Sequence, residues 1–267
     1  MRPLAELPEG VRRRLDGVFC DIDDTLTTGG RLTADAYFAM ERLRAHGMAV
    51  VPVTGRPAGW CDHIARTWPV AAVVGENGAF YFRYDHERRE MKRRYADDAA
   101  LRARNRERLA AVGQEIVRAV PGCAIAADQG YRETDLAIDY CEDVAQLPPS
   151  VVERIAALMR ERGLTAKVSS IHVNGWFGAY DKLGMARRLM REEFHVDLDA
   201  ARGAYVFAGD SPNDSPMFDF FPHAVGVANV RDFRGRLEHE PKYVTVSPAG
   251  AGFRELVDFV LAARTGD

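Results

Sequence analysis

GVFCDIDDTLT, residues 17–27, joins a short apolar run to a cluster of carboxylates. Gly17 to Cys20 is too short for a helix and reads as a buried strand, and Asp21, Asp23 and Asp24 follow it at once. Two other places repeat the arrangement: MAVVPV (48–53) runs into Thr54-Gly55-Arg56, and AYVFAG (204–209) runs into Asp210-Ser211-Pro212-Asn213-Asp214. Amphipathic stretches separate these runs, which predicts an α/β chain with a doubly wound, Rossmann-like parallel sheet. Such sheets bind ligands outside the carboxyl ends of their strands. All three polar groups then gather on one rim, whatever the strand order.

Outward from these strands, Thr33 reads as the N-cap of a helix that carries Ala36, Met40 and Leu43 and closes at Gly47. A helix is expected over 57–68, a third strand at AAVV (71–74), and helices at 182–194, from Pro212, and over 252–263. AVGVA (224–228) and KYVTV (242–246) read as further strands. The texture changes near residue 83, where 83–108 holds ten Lys/Arg against six acids. This stretch reads as solvated helix faces with i,i+4 pairs, the sharper alternative being a surface that attracts an anionic substrate. Beyond it, a helix at 101–119, strands CAIAA (123–127) and TDLAIDY (134–140), a helix ending at Gly163 and a half-buried strand TAKVSSIHV (165–173) suggest an inserted α+β domain. The expected division is a core of 1–83 and 176–267 around an insert of 84–175. Alternation along the last strand puts Val168, Ser170, His172 and Asn174 on one face. His172 and Asn174 are candidates for contacts to a sugar, and a face turned to water is the equal alternative.

The chain has 267 residues, 47% of them hydrophobic and 28% charged, enough to bury a core without disulfides or metal staples. A formal charge of −3 gives no electrostatic reason to expect nucleic acid or an anionic membrane as partner. Cys20, Cys61, Cys123 and Cys141 are scattered without a CxxC, which disfavours a zinc ribbon or redox pair. The first fifteen residues hold no apolar signal core, and no apolar run is long enough to span a membrane. A cytoplasmic protein is therefore expected.

Asp21, Asp23, Asp210 and Asp214 cannot share a pocket uncompensated, since two unit charges ~4 Å apart repel by about 4 kcal/mol at an effective dielectric near 20. Either protons or a cation must sit among them. Oxygen ligands without His or Cys favour a hard ion, Mg²⁺ first. Such an ion beside Thr54 and a lysine suits a phosphoryl group. Asp21 and Asp23 lie two apart on an extended segment and so point the same way. One can attack phosphorus while the other handles the leaving group's proton.

These residues resemble the haloacid dehalogenase (HAD) superfamily of phosphohydrolases. DIDDTLT (21–27), VTGRP (53–57), DKLGMARRL (181–189) and GDSPND (209–214) are similar to its four motifs, in the family's order. The resemblance covers about 1–83 and 176–267. It implies that Asp21 is the nucleophile and a metal ligand, and that Asp23 is the general acid/base, giving its backbone carbonyl to Mg²⁺. It makes Thr54, Gly55 and Lys182 the phosphate-binding set, Asp210 a direct metal ligand, and Asp214 a ligand through water or a support for Lys182. Asn213 would orient its loop. Arg56 either caps the following helix at the surface or reaches substrate. An insert between the second and third motifs, preceded by ENGAF (76–80), resembles the type-two cap of subfamily IIB, which includes Cof-like, sucrose-phosphate and trehalose-phosphate phosphatases. Asp24 stands where many relatives have Gly. The implied activity is Mg²⁺-dependent hydrolysis of a small phosphate monoester, a sugar phosphate first. The alternatives are a sugar phosphomutase sharing the aspartyl-phosphate step, a dehalogenase (disfavoured by Asp23) and a non-catalytic binding or regulatory protein.

Overall fold

The computed structural model describes residues 1–264. Its centre is a six-stranded sheet in the order Arg2–Pro3, Tyr243–Val244, Val225–Gly226, Tyr205–Gly209, Gly17–Cys20, Ala49–Pro52, with every pairing parallel. The strands that precede Asp21, Thr54 and Asp210 are therefore immediate neighbours. Side-chain alternation divides the interior in two. Val18, Cys20, Val50 and Val206 face Met40 and Leu43 of helix Ala34–Ala45, Ile64 of Ala58–Thr67 and Phe253 of Ala249–Ala262. Phe19, Val51, Val53 and Phe207 face Met185 and Leu189 of Lys182–Glu193 and Met217 of Ser215–Phe220. All of Gly17–Cys20 is buried, as a strand covered on both faces must be. Thr33 caps its helix by accepting from the Ala36 amide, and Gly47 ends the turn at φ +72°.

Two parts of the chain differ from the sequence reading. Val73–Gly75 joins the central sheet only through a Val53–Val74 bridge and otherwise pairs antiparallel with Phe80–Asp85, which pairs in turn with Glu90–Tyr95. The first half of the basic stretch is thus a hairpin rather than a helix. Phe80 and Phe82 point into the core, while Arg83 and Lys92 both reach Glu193 at 2.9 and 3.0 Å. Arginines on the outward positions masked the period of two. The turn also lacks glycine, because Arg89 itself takes the left-handed conformation at φ +55°. The expected boundary at 83/84 falls inside strand Phe80–Asp85.

A second, antiparallel layer has the strand order Thr165–Val168, His172–Trp176, Asp135–Asp139, Ala124–Ile125. Helices Ala99–Ala119 and Pro149–Glu161 cover one of its faces, burying Leu109, Ile116, Ile155 and Met159 against Leu136, Ile138 and Val173. TAKVSSIHV is two strands, not one. Ser169 closes the turn by accepting from the amide of His172 at 3.0 Å, and Lys167 comes to lie opposite Asn174. Ser170 therefore sits in the turn rather than on the strand, yet it borders the same gap over Asp21 as His172 and Asn174. The face of His172 and Asn174, with Asp135 and Asp139, looks toward the carboxyl rim of the central sheet. No helix among the described residues is long and apolar enough to cross a membrane.

One glycine fixes how the chain returns to the core. Gly78 has φ +105°, and a Cβ there would lie 2.0 Å from the carbonyl oxygen of Asp181, at the start of the Lys182 helix. Gly78→Ala is expected to destabilise the protein by about 2 kcal/mol or more, through strain and backbone displacement together. A thermal melt measures it, and an unchanged Tm would mean that the contact is not a constraint.

Candidate active site

Asp21 is the first residue past its strand, and its amide still bonds Ala208 O at 2.9 Å. The chain then makes one tight turn, with the amides of Leu26 and Thr27 both bonding Ile22 O at 2.9 Å. Asp24 occupies the left-handed region at φ +55°. Glycine enters that region without steric cost and Asp tolerates it, which accounts for the substitution flagged in the sequence. Thr27–Thr28 and Arg31–Leu32 follow as a small hairpin turning at Gly29 and Gly30, both with positive φ.

Carboxylate oxygens of Asp21, Asp210 and Asp214 lie within 4.8 Å of one another, and all three residues are buried. Lys182 Nζ donates to Asp21 Oδ1 and to Asp214 Oδ1, each at 2.7 Å. The other oxygen of Asp214 accepts from the Asp210 amide at 3.1 Å. This inward fold is open only because residue 209 is glycine, since a Cβ there would meet Asp214 Oδ2 at 2.5 Å. Asp210 accepts from Thr25 Oγ1 at 3.2 Å and from Asn229 Nδ2 at 3.4 Å, while Asn229 Nδ2 also donates to Asp24 O at 3.0 Å. Sequence reasoning missed Thr25 and Asn229, because a lone Thr and a lone Asn far along the chain carry no spacing signal. Asn213 accepts from Ser211 Oγ at 2.7 Å. Thr54 is fully buried and its hydroxyl accepts from the Arg56 amide at 3.0 Å.

One ammonium among three buried carboxylates leaves the cluster short of positive charge. Burial pushes the Asp21 carboxyl up to about 8, against the opposing pull of Lys182. Burial, with Asp21 and Asp214 nearby, likewise raises Asp210 well above the usual carboxylate range. Lys182 is raised, because the two carboxylates outweigh its own burial. Such a set is balanced by a proton or by a cation, and an all-oxygen, anionic, buried donor set fits a hard divalent ion. Asp21, Asp210 and Asp214 are the side chains that could hold it.

Asp23 lies outside this group. Both its oxygens are held by Arg56, with Nε at 2.9 and 3.0 Å and Nη2 at 2.8 Å. Arg56 is 3% exposed, so it is no surface cap. It stacks 4.4 Å over the Trp60 ring and reaches Glu142 at 2.7 Å and Asp128 at 3.4 Å across the layer boundary. His172 Nε2 lies 2.9 Å from Glu142. Burial alone would raise Glu142, but His172 and Arg56 hold it down to about 2. Asn174 donates to Asp135 at 3.0 Å, Asp135 pairs with Arg132 at 3.0 Å, and Arg132 donates to Gly55 O at 2.8 Å. His172 and Asn174 are buried, at 2% and 3% exposure, which removes the alternative that they face water. Glu76 adds a second tie: it accepts from the amides of Ala58 and Glu133, each at 2.9 Å, and from the amide and hydroxyl of Thr134. Burial, with Asp135 nearby, lifts Glu76 to about 7.

The gap enclosed by Asp21, Asp23, Arg56, His172, Asn174 and Asn213 measures about 10 Å³. That is about the least room a single water needs, and far less than a phosphoryl group takes.

The family profile for haloacid dehalogenase-like hydrolases matches residues 18–103. A search among curated proteins finds no match. Among solved structures, Thermoplasma acidophilum 0175 is similar with a TM-score of 0.68 at 17% identity, over 92% of this chain and 98% of that one. The sucrose-phosphatase of Synechocystis sp. PCC6803, solved with sucrose and phosphate, gives 0.61 at 16% identity, over 93% and 98%. The subclass IIB sugar phosphatase BT4131 gives 0.61 at 13%, over 91% and 98%. At these identities the likeness is one of fold, and the fold is the haloacid dehalogenase-like one.

The raised Asp21 value sets a pH signature. A carboxyl at about 8 in the folded chain and near 3.8 ordinarily holds extra protons in the native state between those limits. Its contribution to stability therefore falls as pH rises through that window. A divalent ion replaces the proton, so millimolar Mg²⁺ should raise Tm more at pH 8 than at pH 6. Melts that show no shift, or equal shifts, would mean that the three carboxylates do not share an ion.

Proposed function

We propose that this haloacid dehalogenase-like hydrolase is a Mg²⁺-dependent phosphatase that releases phosphate from a small phosphorylated metabolite, a sugar phosphate foremost. The observation that carries the reading is Lys182 bridging Asp21 and Asp214 beside Asp210. In this reading Lys182 orients Asp21 through Oδ1 and leaves Oδ2 to attack phosphorus. Thr54, Gly55 and Lys182 cradle the phosphoryl oxygens and offset their charge. Asp23 gives a proton to the departing alkoxide as the P–O bond breaks. It then takes a proton from the water that attacks the aspartyl-phosphate, which frees phosphate and restores Asp21. Bound at the carboxylates, Mg²⁺ would supply charge neutralisation and Lewis acidity toward the phosphoryl oxygens. The antiparallel layer inserted after Tyr95, about 96–176, acts as a cap that opens for substrate and closes to exclude water. Support for the sugar class comes from the fold shared with the sucrose-phosphatase and sugar phosphatase named above.

Asp21→Asn should cut phosphate release from p-nitrophenyl phosphate and from sugar phosphates by about 10³-fold or more while the circular dichroism spectrum is kept. Near wild-type release by that variant would remove Asp21 from the chemistry, and isomer formation without free phosphate would indicate a mutase. Arg56 is read as the residue that positions Asp23. Arg56→Leu should therefore slow hydrolysis of a sugar phosphate, whose alkoxide needs the proton, more than that of p-nitrophenyl phosphate, whose leaving group does not. Equal losses on the two substrates would reduce Arg56 to a structural role.

A further inference from the structure

A chamber of about 180 Å³ opens beside Lys182. Lys167 and Trp176 of the antiparallel layer line it from one side, and Asn77, Asp181 and Asn213 of the core from the other. Asn213 also borders the narrow gap over Asp21, so the two spaces adjoin. At ~30 Å³ per water the chamber has room for about six waters, the scale of a three- or four-carbon group.

Its walls hold a buried donor that lacks an acceptor and an exposed cation that has no ion-pair partner among the described residues. Asn77 is 3% exposed, and its amide nitrogen is buried with no hydrogen-bond partner. Its backbone is held at φ +56° in a left-handed run shared with Glu76 and Gly78. The amide is held against the phosphate-binding loop, since a Cβ on Gly55 would come within 3.2 Å of Asn77 Nδ2. Buried orphan donors are rare in folded proteins, and this one borders a cavity that could admit its acceptor. Lys167 is turned the same way by its register opposite Asn174. Arg56, Arg132 and Lys182 all have carboxylate partners, whereas Lys167 forms no ion pair among the described residues. The acid on the wall, Asp181, is already engaged with the Gly184 amide at 2.6 Å, as cap of the twelve-residue Lys182–Glu193 helix. Trp176, stacked on Tyr180 at 5.7 Å and 16°, supplies an apolar side.

We propose that this chamber receives the far end of the substrate's leaving group, and that this end carries a second anionic group, a carboxylate or a second phosphate, bound by Lys167 and Asn77. The inference rests on the phosphatase reading and narrows its substrate class. A neutral polyol would satisfy the Asn77 amide but gain nothing from the Lys167 charge. A carboxylate or phosphate satisfies both.

Competition against p-nitrophenyl phosphate hydrolysis tests this without requiring turnover of the competitor. 3-Phosphoglycerate and glycerol 3-phosphate differ only by a carboxylate in place of a hydroxymethyl group. Fructose 1,6-bisphosphate and fructose 6-phosphate form the matching pair for a second phosphate. In at least one pair the member with the second anionic group should inhibit about tenfold more tightly, and the pair with the larger ratio names the anion. Lys167→Gln, on an exposed strand position that tolerates the change, should bring that ratio toward one. Asn77→Gly, which keeps the backbone conformation accessible, should also reduce it. Equal inhibition within both pairs, or a ratio unmoved by Lys167→Gln, overturns the proposal. If the wild type does not hydrolyse p-nitrophenyl phosphate at all, the phosphatase reading falls and the inference falls with it, a result distinct from either of these.

Discussion

The two hydrogen bonds of the Lys182 ammonium, to Asp21 and to Asp214, are the constraint on which the rest of the site depends. They hold together carboxylates that would otherwise repel, and they do so from the first turn of a helix whose position is set elsewhere. Gly78 must lack a side chain for that helix start to approach, and Gly209 must lack one for Asp214 to fold inward. The parallel sheet supplies the remaining order: three adjacent strands end at the same level, each releasing its polar residue onto the rim. The geometry is local in space although its members are separated by up to about two hundred positions in the chain.

A second level of organisation lies between the layers. Arg56 and Arg132 are buried cations, and three of the acids that pair with them have a second partner: Asp128 bonds both, Glu142 bonds Arg56 and neighbours His172, Asp135 bonds Arg132 and Asn174. Buried ion pairs of this kind add little net stability, because desolvation offsets much of the attraction, but breaking one partner is costly. They suit a closure that must be definite in geometry yet reversible. The same network borders the narrow gap over Asp21 through Arg56, His172 and Asn174.

The acidic rim was legible in the sequence for a physical reason. A short buried strand followed at once by acids is a pattern with few other solutions, and three such patterns in one α/β rhythm constrain one another. The helix capped at Thr33 and the strand over 205–209 were readable from local chemistry alone. The hairpin of 80–95 was not, because arginines on its solvent side broke the visible alternation and no glycine marked its turn. The break in 165–173 was hidden in the same way, since Ser169-Ser170-Ile171 continues the alternation through a turn. Thr25, Asn229, Glu142 and Arg132 act only through neighbours supplied by tertiary folding, and isolated residues of these types give no prior signal. Alternation along the strand stops at the turn around Ser170, yet His172 and Asn174 stand on the rim-facing side of the second strand, buried rather than hydrated.

The inserted layer is attached by two threads, one leaving the core after Tyr95 and one returning through 177–181. The returning thread is short, is clasped by the Trp176–Tyr180 stack, and ends at the residue before Lys182. Its anchorage is therefore not a neutral pivot. In the reading proposed above, in which the outer layer swings as a cap, its movement would reach the Lys182 ammonium within a few bonds, which ties the posture of the lid to the readiness of the floor.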